Sequence, residues 1–181
     1  MKEAFLFLAT GFEEIEALGT TDILRRGGIR VNIVSITGER VVMGTHNISA
    51  IADCLFEEAD FSQADALILP GGIPGSNHLN DHTPLKELIL QKYREDKILA
   101  AICAGPMVLG GLGLLKGRKA TCFPNFEPTM IGATPVDCGV VVDGNIITAK
   151  GPGYVFKFGL SILQALKGEM IVEEVAGAML V

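Results

Sequence analysis

A chain of 181 residues, 49% apolar and 20% charged, has the size of one ordinary domain and buries about 70% of the surface its unfolded form exposes. Its net charge of −6 repels phosphate backbones, so no nucleic-acid partner is expected. Its four cysteines, Cys54, Cys103, Cys122 and Cys138, show no CxxC pair and no metal-ligand spacing, which excludes a disulfide framework and a zinc site from the expectations.

The N-terminal "MKEAFLFLATGFEE" holds an apolar run too short for a signal peptide, and a charged stretch stands where a small-residue cleavage site belongs. A cytoplasmic protein is the expectation. Within it "AFLFLAT" (Ala4–Thr10) has the length of a buried strand, and a helical pattern runs from about Glu13 to Arg26, stopped by Gly27-Gly28. "IRVNIVSI" predicts a second strand and "ADALILP" (Ala64–Pro70) a third. Between them, Val41–Ser49 has the pattern of a β-hairpin or an added edge.

A helix is predicted from about Pro84 to Glu95, then the strand "ILAAIC", a sharp turn, and a helix after Pro106. From Ile98 to Leu115 there is no charge, which is nominally the length of a membrane span. Pro106 and four glycines interrupt the run, and an interrupted segment satisfies its backbone poorly in lipid, so a buried strand, turn and helix fit better. A second hairpin is predicted around Val136–Thr148, where "VVDGNIIT" carries an Asp-Gly turn. The stretch "GPGYVFKFGLSILQALKG" predicts a last helix closed by Gly168, a core-facing helix to which Tyr154 and Phe156 belong rather than to a cofactor box. Strands alternating with helices, apolar on both faces, predict one domain over residues 1–181 with a mostly parallel sheet covered on both sides.

Ligands of such sheets bind beyond the carboxyl ends of the strands, and Cys103 ends one of them in "AAICAGPMVLGG". A residue at a strand-to-helix elbow is held out of the sheet. Gly105 relieves crowding there and Pro106 suits the first helical turn. The following helix N-terminus predicts a thiolate favoured over the thiol, although a free cysteine is also an ordinary small core residue. "LILPGG" ends the third strand in Gly71-Gly72, where backbone N–H groups can approach a substrate oxygen; Pro-Gly-Gly is equally an ordinary turn. In "GFEEIEAL", helical geometry puts Glu16 within about 20° of Ile23, at the border of an Ile15–Gly19–Ile23 buried stripe, and leaves Glu13 and Glu14 farther out. A solvated first-turn glutamate is the plainer account of Glu16. His78 and His82 follow the Gly-Gly turn and either lean over the site or start a surface helix. No GxGxxG follows the first strand and no Walker-type loop is present, so no nucleotide cofactor is indicated.

"GFEEIE", "LPGG", "AAICAGP" and "KGPG", in that order, resemble the ThiJ/PfpI superfamily, most closely its DJ-one-like branch. The resemblance spans essentially the whole chain. It implies a flavodoxin-like (class I glutamine amidotransferase-like) three-layer sandwich, usually a homodimer, without cofactor or metal. It further implies Cys103 as a nucleophilic or redox cysteine, Glu16 as its paired acid, and the N–H groups of Gly72 and Ala104 as oxyanion donors. It also places Arg26 near the dimer interface and an anion pocket, and Arg26 joins Gly71 and His78, which the residues themselves suggest, as the expected substrate-side positions. The partner implied is a small reactive carbonyl or an oxidant, for a glyoxalase or deglycase activity or a redox-sensing, stress-protective role. Peptidase chemistry is less favoured, because Ala104 stands where peptidase-like relatives carry histidine. "CFPNFEPTMIGATPVDCG" also lacks the histidine that the branch often supplies after the elbow.

Overall fold

The computed structural model describes residues Met1–Val181. In chain order its elements are β1 (Glu3–Leu8), α1 (Glu14–Arg26), β2 (Arg30–Ser35), β3 (Val41–Met43), β4 (Ser49–Ile51), β5 (Cys54–Leu55), β6 (Ala66–Leu69), α2 (Gly75–Asp81), α3 (Thr83–Arg94) and β7 (Ile98–Ile102). There follow α4 (Pro106–Gly111), β8 (Lys119–Ala120), β9 (Thr134–Pro135), β10 (Val140–Asp143), β11 (Ile146–Ala149), α5 (Val155–Lys167) and α6 (Glu169–Met179). Seven strands form one sheet in the order β10-β11-β7-β6-β1-β2-β5, with every neighbour pair parallel except β10 and β11.

Alternation along the strands divides the core. Ala4, Leu6 and Leu8 of β1 face one side with Ala17 and Ile23 of α1 and Phe158 and Ile162 of α5. Phe5 and Phe7 face the other with Leu85 and Ile89 of α3 and Val108 of α4. Strands apolar on both faces require cover on both, and the result is the three-layer sandwich the sequence predicts. Both predicted hairpins form: β3 pairs antiparallel with β4 as a separate ribbon, and β10 with β11 across Gly144-Asn145. The uncharged run from Ile98 resolves into β7, the elbow and α4, and no helix is long and apolar enough to cross a membrane.

One helix is added and three expectations are corrected. The polar segment Gly75–Asp81 is helical though only Leu79 gives it an apolar anchor, and α6 restarts directly after Gly168, whose φ of 87° turns the chain. Tyr154 and Phe156 are exposed, because Val155, Phe158, Ile162, Leu163 and Leu166 make the buried stripe of α5. Ile15 is 60% exposed, whereas Glu13, Glu14 and Glu16 are all buried. The first turn of α1 lies beneath the loops that follow β6 and β3, so its carboxylates, not Ile15, face the protein.

Candidate active site at the strand elbow

The end of β7 turns sharply at Cys103, whose φ is 63°. Left-handed backbone at a non-glycine residue costs on the order of 1–3 kcal/mol and persists only where surrounding structure imposes it. Here the Cys103 N–H donates to Ala149 O at 2.9 Å and Phe123 N–H donates to Cys103 O at 2.9 Å, clamping the residue on both sides. Gly105 follows where a Cβ would stand 2.6 Å from Leu69 O, so only glycine lets the chain pass over β6.

Three loops converge on the sulfur. The N–H groups of Gly72 and Ala104 face it. Gly71 donates its N–H to Glu16 Oε2 at 2.7 Å. A single point beside Gly71 lies 2.6 Å from Glu16 Oε2 and 3.0 Å from Cys103 Sγ, so the carboxyl and thiol flank that glycine together. Glu16 reaches this place because Glu13 caps α1, its side chain accepting the Glu16 N–H at 2.7 Å. Glu16 Oε1 is buried with no partner.

Burial is the largest influence on both groups. It pushes the Glu16 carboxyl up to about 7, opposed by the Gly71 N–H and assisted by the charge of Glu13. It also pushes the Cys103 thiol up to about 12, with Glu16 raising it further and the Gly72 and Ala104 N–H groups acting downward. The expected thiolate-favouring helix N-terminus is therefore corrected: α4 is only six residues long, and burial outweighs it. The thiol instead lies against a buried carboxyl group whose own titration falls near neutral pH. Because the folded carboxyl titrates above its unfolded value, its contribution to stability is full below about 4.5 and is lost as pH rises through about 7. Relative to Glu16→Gln, the wild type is expected to lose on the order of 3 kcal/mol at most over that window. Chemical denaturation at pH 4.5 and pH 8 checks this; parallel curves for the two proteins contradict it.

The remaining predicted positions lie elsewhere. His78, on α2, places Nδ1 3.1 Å from Thr10 O, and His82 caps α3 by accepting the Leu85 N–H at 3.1 Å. Neither is among the groups acting on the sulfur. Arg26 pairs with Asp22 at 2.8 Å at the far end of α1, about 15 Å along the helix from Glu16. The chain by itself does not bring it to Cys103.

One cluster escaped sequence reasoning. Glu14 accepts the His46 N–H at 2.6 Å and meets His46 Nδ1 at 2.7 Å, fastening the β3–β4 turn onto α1. Glu13, Glu14 and His46 place one donor atom each within 4.8 Å of one another, but the Glu14 oxygens and Glu13 Oε2 are already engaged by protein groups. The cluster joins residues more than thirty positions apart, and no local pattern announces it.

A doubly wound sheet with a strained cysteine at one strand elbow, a buried glutamate against it and converging N–H groups define a class of flavodoxin-like elbow-cysteine proteins. The model of the DJ-1/PfpI family matches residues 2–165, and the chain belongs to that family. It is 34% identical to protein dj-1beta of Drosophila melanogaster, over 99% of this chain and 97% of that one. It is 36% identical to DJ-1 homolog B of Arabidopsis thaliana over 97% of this chain, spanning 41% of that longer protein. Among solved structures, a DJ-1 superfamily protein from Salmonella typhimurium superposes with a TM-score of 0.94 at 36% identity, covering 99% of this chain and 98% of that one. Oxidized Toxoplasma gondii DJ-1 superposes with 0.95 at 29% identity, with the same coverage.

Proposed function

We propose that the protein converts small reactive carbonyls, in a cofactor-free glyoxalase or deglycase reaction, through Cys103 and Glu16. The observation that carries this reading is the buried Glu16 carboxyl, pushed up to about 7 and set beside the thiol. With a 2-oxoaldehyde, the Glu16 carboxylate takes the thiol proton as sulfur bonds to the aldehyde carbon. The resulting alkoxide is held by the Gly72 and Ala104 N–H groups and takes that proton back from Glu16. Glu16 then moves a proton from C1 to C2 while the hydroxyl proton on the C1 oxygen passes to the C2 oxygen, so that C1 is oxidised and C2 reduced within the substrate and a thioester with a 2-hydroxyl remains on sulfur. Water cleaves the carbon–sulfur bond, releasing a 2-hydroxy acid and the free thiol. No external electron acceptor is needed. A thiol raised to about 12 is a poor spontaneous nucleophile, which is why the adjacent base is essential to this reading.

The experiment is turnover of methylglyoxal by the wild type and Cys103→Ser. Conversion to lactate by the first and not the second supports the reading; equal rates, or none in the wild type, overturn it.

A second reading is favoured by the same protonated carboxyl and by the oxidized state of the Toxoplasma relative. Two equivalents of peroxide oxidise Cys103 to a sulfinate, which accepts a hydrogen bond from Glu16, and the protein serves as a sensor or stress-protective factor. Cys103 is expected to oxidise before Cys54, Cys122 and Cys138, since only its oxidised form has a carboxylic acid and two N–H donors beside it. Peptide mapping after mild peroxide checks this; earlier modification of any of the other three contradicts it.

A homodimer completes the proposal. Ile15 and Leu18 on α1 and Val41, Met43, Ile48 and Ile51 on the β3–β4 ribbon are exposed, an apolar surface of the kind oligomers cover. Sedimentation at micromolar concentration is expected to show a dimer, and Ile48→Asp with Ile51→Asp a monomer. A monomeric wild type contradicts the proposal.

A further inference from the structure

We propose, resting on the carbonyl reading above, that an aromatic cleft beside Cys103 is the subsite for the substrate's substituent, and that it selects 2-oxoaldehydes carrying an aryl group over those carrying methyl. The cleft has a volume of about 250 Å³, and its lining includes Phe123 and Tyr154 with Pro124, Gly151 and Pro152. Backbone bonds tie its lining to the elbow on both sides of Cys103. Phe123 is the residue whose N–H holds Cys103 O, and Lys150 follows Ala149, whose carbonyl holds the Cys103 N–H.

Its chemistry is that of a stacking site. Phe123 and Tyr154 are 43% and 41% exposed, so each presents ring surface that the protein itself does not cover. Both rings are nevertheless held. Phe123 lies against Gly151, where a Cβ would stand 3.3 Å from the ring, and meets Phe126 edge-on at 6.3 Å. Tyr154 packs against Gly139, where a Cβ would collide with its ring. An ordered but half-exposed aromatic pair costs little further entropy on binding a planar group, and offset or edge-to-face contacts favour a third ring. The one ammonium at the cleft, that of Lys150, is paired with Asp137, so no free charge remains there to hold an anionic substituent.

Size argues the same way. A methyl group leaves nearly all of a 250 Å³ cleft empty, whereas benzene fits an apolar cavity of about 150 Å³. A group that fills the cleft gains contacts that a methyl cannot make, and filled apolar subsites discriminate by about 10-fold to 200-fold in kcat/KM.

The test compares phenylglyoxal, methylglyoxal and 4-carboxyphenylglyoxal as substrates of the wild type, Phe123→Leu and Phe123→Ala, with thermal melting confirming that each variant is folded. The wild type is expected to prefer phenylglyoxal over methylglyoxal by about 10-fold or more in kcat/KM. That ratio should fall at least 5-fold in Phe123→Ala, with Phe123→Leu between the two. The carboxylated substrate should be turned over less well than phenylglyoxal. Turnover with an unchanged ratio in Phe123→Ala overturns the cleft assignment while leaving the Cys103 chemistry intact. Preference for the carboxylated substrate overturns its apolar character. Turnover of none of the three aldehydes, by any of the proteins, overturns the carbonyl reading itself and the substrate class with it.

Discussion

Replacing Glu16 by Gln lowers carbonyl turnover by about 100-fold or more. The amide keeps the shape and can still accept the Gly71 N–H, but it neither takes the thiol proton nor carries one from C1 to C2. None of the three histidines acts on the sulfur, so no other group stands ready to assume the role. Once formed, a sulfinate at Cys103 could still accept a hydrogen bond from Gln, so peroxide would reach that state in the variant. Steady-state rates of lactate formation check the prediction. Full turnover in Glu16→Gln shows that another acid–base group serves, with His78 the first to examine.

Gly71→Ala is the second large effect. A Cβ at this position would stand 2.6 Å from both Cys103 Cβ and Glu16 Oε2. The backbone there is not in the left-handed region, so the conflict is one of occupied space rather than strain. One methyl group therefore separates the carboxyl from the thiol or pushes the Gly71 N–H off Glu16. A loss of about 100-fold in kcat/KM is expected, with a stability cost of about 1–3 kcal/mol typical of overpacking. Paired kinetic and denaturation measurements check both figures. Near-native turnover in a folded Gly71→Ala protein shows that carboxyl and thiol do not have to share that space.

Much of this arrangement is legible in the chain. Continuous apolar runs such as "AFLFLAT" and "ILAAIC", of strand length and bounded by turn residues, read as strands buried on both faces, and their alternation with helices indicates the parallel sheet. The elbow at Cys103 and the paired glycines after β6 follow from strand ends meeting glycine and proline. The unread parts have physical causes. Helix α2 is polar, so its periodicity carries no signal, and it stands on the contacts of Leu79 and the backbone bond from Ser76 N–H to Gly72 O. Glu14 and His46 meet through the return of the β3–β4 ribbon, a long-range event without a local pattern. Helical projection placed Ile15 inside because it knows only the helix; the loops lying over the first turn of α1 reverse that choice. Glu16 does lie on the buried side of α1 with Ala17, Thr20 and Ile23, but of the projected Ile15–Gly19–Ile23 stripe only Ile23 is buried. The helical pattern that takes in Tyr154 and Phe156 does face the core, but through Val155 and Phe158, which leaves those two rings outside. The thiol's acidity was misjudged for a related reason: a sequence shows the helix start at Pro106 but not the depth at which the sulfur lies.

The account turns on Glu16 being the proton acceptor for Cys103, and the pH dependence of Cys103 alkylation by iodoacetamide tests it most directly, in the wild type and in Glu16→Gln. In the wild type the rate should rise through an inflection near pH 7, where the carboxyl loses its proton, with the apparent value belonging to the pair rather than to either group. In Glu16→Gln that inflection should disappear, leaving reactivity that climbs only toward strongly alkaline pH. Superimposable profiles for the two proteins would contradict the assignment of Glu16 as the base.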